Sequence, residues 1–157
     1  MDFVESKLVE LKETIVDDIK KEVIAFINSE GGNLYVGVAD DGHVIGLDDP
    51  QSDMLRLTNM IRDTIKPDAT MFVECQIEKI DTKDIVRVQV QKGTHAPYYL
   101  VGKGIRPEGV FVRQGTSSVP ASEDAIRRMI KESDGDCFET MRSLNQDLSF
   151  ETLTEEC

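Results

Sequence analysis

Glu5, Glu10 and Lys12 lie close together near the start of the chain, and carboxylates beside a lysine are the raw material of metal-assisted phosphodiester chemistry. Carboxylate oxygens hold a hard cation such as Mg²⁺ or Mn²⁺, and an ammonium group stabilises the negative charge that develops on a phosphate. Glu10 and Lys12 are two apart, so on a strand both leave the same face. A simple ion pair on an edge strand has the same spacing. Glu5 and Glu10 are an odd number apart, and only a bend near Ser6 brings them to one side. Asp40 and Asp41, before Gly42, are turn residues in their own right. They add to the glutamates only if the first strand runs beside that turn.

A second candidate is FVRQGTSSVPA, residues 111 to 121. Arg113 at a strand end, with hydroxyls and glycine N–H groups after it, suits a phosphate, but a polar loop leading into a capped helix reads the same way. Gly31-Gly32-Asn33 is no phosphate loop, because a helix precedes it and a strand follows, the reverse of the Walker order. With only His43 and His95 in the sequence, a histidine-rich metal site is excluded, while carboxylate sites for hard cations remain open.

The elements that must position these groups follow from periodicity. KLVELKE (7 to 13) alternates as a strand, and Val16 to Glu30 carries apolar residues three or four apart, with Gly31 as the helix stop. Residues 33 to 39 and 44 to 47 form a hairpin about Asp40-Asp41-Gly42. A second helix is capped by Ser52 and ended by Pro67. Strands are expected at 71 to 80, 85 to 91, 98 to 101 and 110 to 113, and a last helix after Ser122. This order gives an α+β fold with a single mixed sheet and about three helices packed on it.

The chain has 157 residues and a formal net charge of -12, which argues against a general polyanion binder, since phosphate contacts need clustered Lys and Arg. The charge is uneven: residues 92 to 131 hold seven bases and three acids, whereas 132 to 157 hold one base and eight acids. One domain over 1 to 132 and an acidic linker over 133 to 157, leading to a further region, are expected. Cys75, Cys137 and Cys157 read as reduced thiols, no apolar run suits a membrane span, and a cytoplasmic location is expected.

Taken in order, ES-x-x-VELK (5 to 12), AFINSEGG (25 to 32), LYVGVADDGHVIG (34 to 46) and FVRQGTSSVPAS (111 to 122) resemble the Schlafen AlbA-like domain. In bacteria this domain often stands at the N-terminus of transcriptional regulators, also described as RecG-related ATP-dependent helicases. The family usually has Phe-Ala-Asn-Thr where this chain has Phe26-Ile27-Asn28-Ser29. The resemblance implies binding of DNA or RNA. Some vertebrate members are metal-dependent endoribonucleases acting on structured RNA, whose carboxylates match Glu5, Glu10 and Asp40, with Lys12 in register.

The resemblance therefore implies a catalytic set of Glu5, Glu10, Asp40 and Lys12, with Mg²⁺ or Mn²⁺ held by the three acids. The vertebrate nuclease core pairs two such lobes in one chain, so a single lobe implies a homodimer. The first expectation is a nucleic-acid-binding module whose phosphate contacts come from Lys103, Arg106, Arg113, Ser117, Arg127 and Arg128. A metal-dependent endonuclease is the second, and a ligand-sensing or dimerisation module the third. ATP binding has no Walker motif behind it.

Overall fold

A computed structural model describes residues 3–132; the expected acidic linker and Cys137 and Cys157 lie outside the described residues. In chain order the elements are β1 (Val9–Lys12), α1 (Ile19–Asn28), β2 (Gly32–Val36), α2 (Pro50–Thr64), β3 (Ile65–Lys66), β4 (Val73–Ile80), β5 (Lys83–Val90), β6 (Tyr99–Leu100), β7 (Phe111–Gln114) and β8 (Ser117–Pro120). A third helix, α3, covers 123–132. Four strands form one mixed sheet in the order β1-β2-β5-β4, with β1 parallel to β2 and the other pairs antiparallel.

The α+β class and the mixed sheet are as expected, but the sheet is not the only one. β3 with β6 and β7 with β8 form separate two-stranded ribbons. The reason lies in α1, where Ile19, Val23, Ile24, Ala25, Phe26 and Ile27 are all buried. One sheet covers one side of a helix, and the β7–β8 ribbon covers another.

Several boundaries move for local reasons. β1 starts at Val9, because Ser6 N donates to Val9 O at 3.0 Å and Val9 N returns to Ser6 O at 3.3 Å, closing a tight turn at 7–8. The cap of α2 is Asp49 rather than Ser52: Ser52 N donates to Asp49 Oδ1 at 3.2 Å, and Pro50 takes the first helical position. Asp81 and Thr82, at φ 49° and 71°, make a two-residue turn, so β5 begins at Lys83. The turn about Asp40-Asp41-Gly42 forms as expected, with Gly42 N donating to Ala39 O at 2.8 Å, yet the returning strand is a single bridge between Val38 and Val44. Among the described residues, no helix is long and apolar enough to cross a membrane.

α1 ends where the sequence stops it. Gly31, at φ 80°, donates its N–H to Phe26 O at 2.8 Å, and a Cβ there would stand 2.5 Å from Val90 O. Just before this cap, Asn28 ties the helix to two other segments. Its Nδ2 donates to Tyr98 O and Phe111 O, both at 3.0 Å, and its Oδ1 accepts from Tyr98 N at 2.8 Å. Asn28→Ala strips partners from all three backbone groups and is expected to lower the unfolding free energy by about 2–4 kcal/mol. A urea melt reads this as a reduced midpoint at unchanged slope; an unmoved midpoint would contradict it.

Candidate functional site

The side chain of Arg113 is 0% exposed. A buried guanidinium is tolerable only when its donors are satisfied and its charge balanced. Here Nη1 donates to Glu10 Oε1 at 2.7 Å, Glu22 Oε2 at 3.0 Å and Ser118 Oγ at 3.1 Å. Nη2 donates to the carbonyls of Ser6 at 2.9 Å and Val9 at 3.1 Å, and Nε to that of Lys7 at 3.3 Å. Ser118 Oγ also donates to Glu22 Oε2. The guanidinium lies over the Phe26 ring at 4.8 Å from its centroid. Ser29 Oγ accepts from Arg113 N at 2.9 Å, so the strand carrying the arginine is pinned to the end of α1.

Lys12 Nζ adds a second cation, 3.6 Å from Glu10 and 3.8 Å from Glu22. Glu5 closes the cluster: its Oε2 accepts from Leu11 N at 3.3 Å, and its carboxyl hydrogen-bonds that of Glu10. Three carboxylates face two cations, and a proton restores the balance. Burial, then the Glu5 hydrogen bond, push the Glu10 carboxyl up to about 7, against the opposing pull of Arg113; the charges of Glu22 and Glu5 push in the same direction as burial.

The bend required at Ser6 is therefore present, and it brings Glu5 to Glu10. Asp40 does not join them. It is exposed on the turn beyond the end of β2, and among the described residues its side chain makes no hydrogen bond or ion pair. That turn rests through Gly42 on the backbone of Phe3, whose ring clusters with Leu11 and Val38. Leu11 points away from the face that carries Glu10. Among the described residues, no three His, Cys, Asp or Glu side chains gather to hold a metal ion. The Mg²⁺ or Mn²⁺ expected on Glu5, Glu10 and Asp40 does not fit these residues, because a guanidinium already bridges Glu10 to Glu22 and the third acid is elsewhere.

The expected phosphate contacts divide. Arg113 turns its side-chain donors inward, to Glu10, Glu22, Ser118 and the carbonyls of the Ser6–Val9 turn. Ser117 is exposed and pairs with Gln114 across the ribbon; by alternation its neighbour Ser118 faces the arginine. Arg127 is exposed but engaged by Asp124 at 3.3 Å and Glu123 at 3.9 Å. Lys103, Arg106 and Arg128 are exposed and have no ion pair among the described residues. Sequence reasoning missed Glu22, Ser29 and Ser118. Glu22 reads as an ordinary acid of a helical first turn, and its partner is 91 residues away. Ser29 and Arg113 both stand in the quoted motifs, and that shared membership was the available signal.

The family described as Schlafen, AlbA_2 matches residues 5–122, spanning every member of the buried cluster. The chain belongs to this family. Among solved structures, the AlbA_2 domain is similar to the N-terminal domain of an ATP-dependent DNA helicase RecG-related protein from Nitrosomonas europaea, at 26% identity and TM-score 0.50, over 70% of this chain and 78% of that one. It also shares its fold with the DIP2311 protein from Corynebacterium diphtheriae, at 18% identity and TM-score 0.57, over 87% of this chain; it spans only 24% of that protein. No curated protein matches it.

Two measurements test the cluster of the AlbA_2 domain. Arg113→Met leaves Lys12 as the one cation beside Glu10 and Glu22 and the Lys7 carbonyl without a donor, and is expected to cost about 3–5 kcal/mol in a denaturant melt. Arg113→Lys recovers only part of this, because one ammonium cannot span the fork of acceptors; full recovery would show that charge alone matters.

The folded domain also holds the Glu10 proton more tightly than the unfolded chain does. Unfolding free energy therefore falls as pH rises from 4.5 to about 7. Glu10→Gln is neutral at every pH and lacks this component, so its Tm relative to the native chain should climb across that window. A constant difference would place the proton elsewhere.

Proposed function

We propose that this AlbA_2 domain is a nucleic-acid-binding module of a cytoplasmic transcriptional regulator or RecG-related helicase-like protein. Lys103 and Arg106, on the loop after β6, are its principal phosphate contacts. The observation that carries this reading is their freedom: both are exposed without an ion pair among the described residues, whereas Arg113 is buried and Arg127 is neutralised by its own helix. Glu108 is the only acid between Tyr99 and Arg113, so the loop is locally cationic on an acidic chain. Arg128 and Lys131 on α3 are likewise exposed and unpaired among the described residues. The family, and the name carried by the Nitrosomonas europaea protein, support the same class of partner.

Phosphate contacts position a protein on nucleic acid and release counterions. If Lys103 and Arg106 each meet one phosphate, replacing both with alanine lowers affinity for all sequences alike. It also makes the log–log salt dependence shallower by about 1.8 on duplex DNA, or about 1.4 on a single strand. Fluorescence anisotropy over a salt series, with the unfolding midpoint as a control, reads both. An affinity independent of salt, or unchanged in the double variant, would remove the loop from the interface.

A further inference from the structure

We propose that the concavity between the β3–β6 ribbon and the loop over 101–109 is a subsite for single-stranded nucleic acid, with Tyr99 carrying a base and Lys66, Lys103 and Arg106 holding the adjoining phosphates. This rests on the nucleic-acid reading above and narrows it. Lys66 and Tyr99 pair directly across the ribbon, which places their side chains side by side on one face. Val101 N donates to Thr64 O at 2.9 Å, and the N–H groups of Lys103 and Gly104 fold back to Leu100 O at 3.1 and 3.2 Å. The loop is thus curled against the ribbon, and the three cations line one concavity together with Tyr99. Lys66, like Lys103 and Arg106, is exposed and makes no salt bridge among the described residues, although Asp68 lies near enough to feel its charge.

Three features favour a single strand over a duplex. The first is extent: three cations neutralise about three phosphates, fewer than the roughly six to ten contacts of a salt-sensitive duplex binder. The second is apolar surface. Tyr99 is half-buried against the Val110, Ala121 and Ile126 cluster, and Val101, which lines the same concavity, is 51% exposed. An aromatic ring held on one side and flanked by phosphate-binding cations is a stacking platform for a base not locked in a helix. The third is backbone access. Gly102 and Gly104 take φ 90° and 79°, and no heavy atom lies within 4 Å of a Cβ built on Gly102, so a strand can approach the main chain there.

The test uses the full chain and three short labelled probes of equal length: oligo(dT), oligo(U) and a blunt DNA duplex. Both single strands are expected to bind, about tenfold or more tighter than the duplex, with a log–log salt slope near -2 for three contacts at about -0.7 each. Tyr99→Leu should weaken single-strand binding roughly tenfold, while Tyr99→Phe retains it, because the ring and not the hydroxyl stacks. The chain has three tyrosines and no tryptophan, so loss of tyrosine quenching in Tyr99→Leu reports stacking independently. Should Tyr99→Leu unfold, Lys66→Ala still reads the subsite, through a salt slope shallower by about 0.7 on the single strand.

Duplex binding equal to or tighter than single-strand binding overturns the subsite and leaves the broader reading standing; no binding to any probe overturns both. Single-strand affinity unchanged in folded Tyr99→Leu, or unchanged salt dependence in Lys66→Ala, overturns the subsite alone. So does complete displacement of the oligonucleotides by inorganic phosphate at an affinity matching theirs, which would mark a bare anion site. Preference between oligo(dT) and oligo(U) decides between DNA and RNA within the proposal.

Discussion

A guanidinium without solvent contact is the constraint around which this domain is arranged. Removing an ion from water costs several kcal/mol even after relaxation, and only closely placed counter-charges and acceptors offset it. Arg113 obtains them from Glu10 on β1, Glu22 on α1, Ser118 on β8 and the carbonyls of the Ser6–Val9 turn. Displacing any one of these segments would strand a buried charge. The N-terminal turn, the first helix and the β7–β8 ribbon are therefore held together by electrostatics as well as by apolar packing. Asn28 and Ser29 secure the same junction through the backbone.

This arrangement separates two populations of charge. Glu5 and Glu10 look like part of a reactive acidic group in the sequence, but in the fold they gather with Glu22 about Arg113 and Lys12. Among the cations that the core does not recruit are Lys66, Lys103 and Arg106 beside Tyr99. A chain with a net charge of -12 can still present a small positive face, because attraction to a phosphate is decided within a Debye length of about 10 Å and not by the whole-molecule total.

Much of the fold was legible because it depends on local rules. The alternation in Val73–Ile80 and Lys83–Val90, the glycine cap at Gly31 and the acidic turn before Gly42 each act over a few residues. The bend at Ser6 was legible only as a condition, since two carboxylates an odd number apart on a strand share a side only if the strand bends between them. The fate of Arg113 was not, because nothing within ten residues of it distinguishes a solvent-facing arginine from a buried one. Its counter-ions are 91 and 103 residues away, and only tertiary structure brings them near. Asp40 was legible as a turn residue, but the packing of its turn through Gly42 onto the backbone of Phe3 is a tertiary contact that no local rule gives. The extra ribbon strand, Ser117–Pro120, was hidden in a segment whose serines and proline read as a loop.

The separation of Arg113 from Glu10 has a consequence for the order in which the chain can be completed. The carboxylates leave the ribosome early, and the arginine that neutralises them is made 103 residues later than Glu10. Until it emerges, Glu5, Glu10 and Glu22 repel one another and are better left in water, so the first strand has little reason to dock early. Such a long-range closure makes folding wait for the C-terminal ribbon. A nascent chain halted before Arg113 would hold a nearly complete hydrophobic sheet and an N-terminal segment that remains loose, an opening for chaperones or proteases that the finished domain no longer offers.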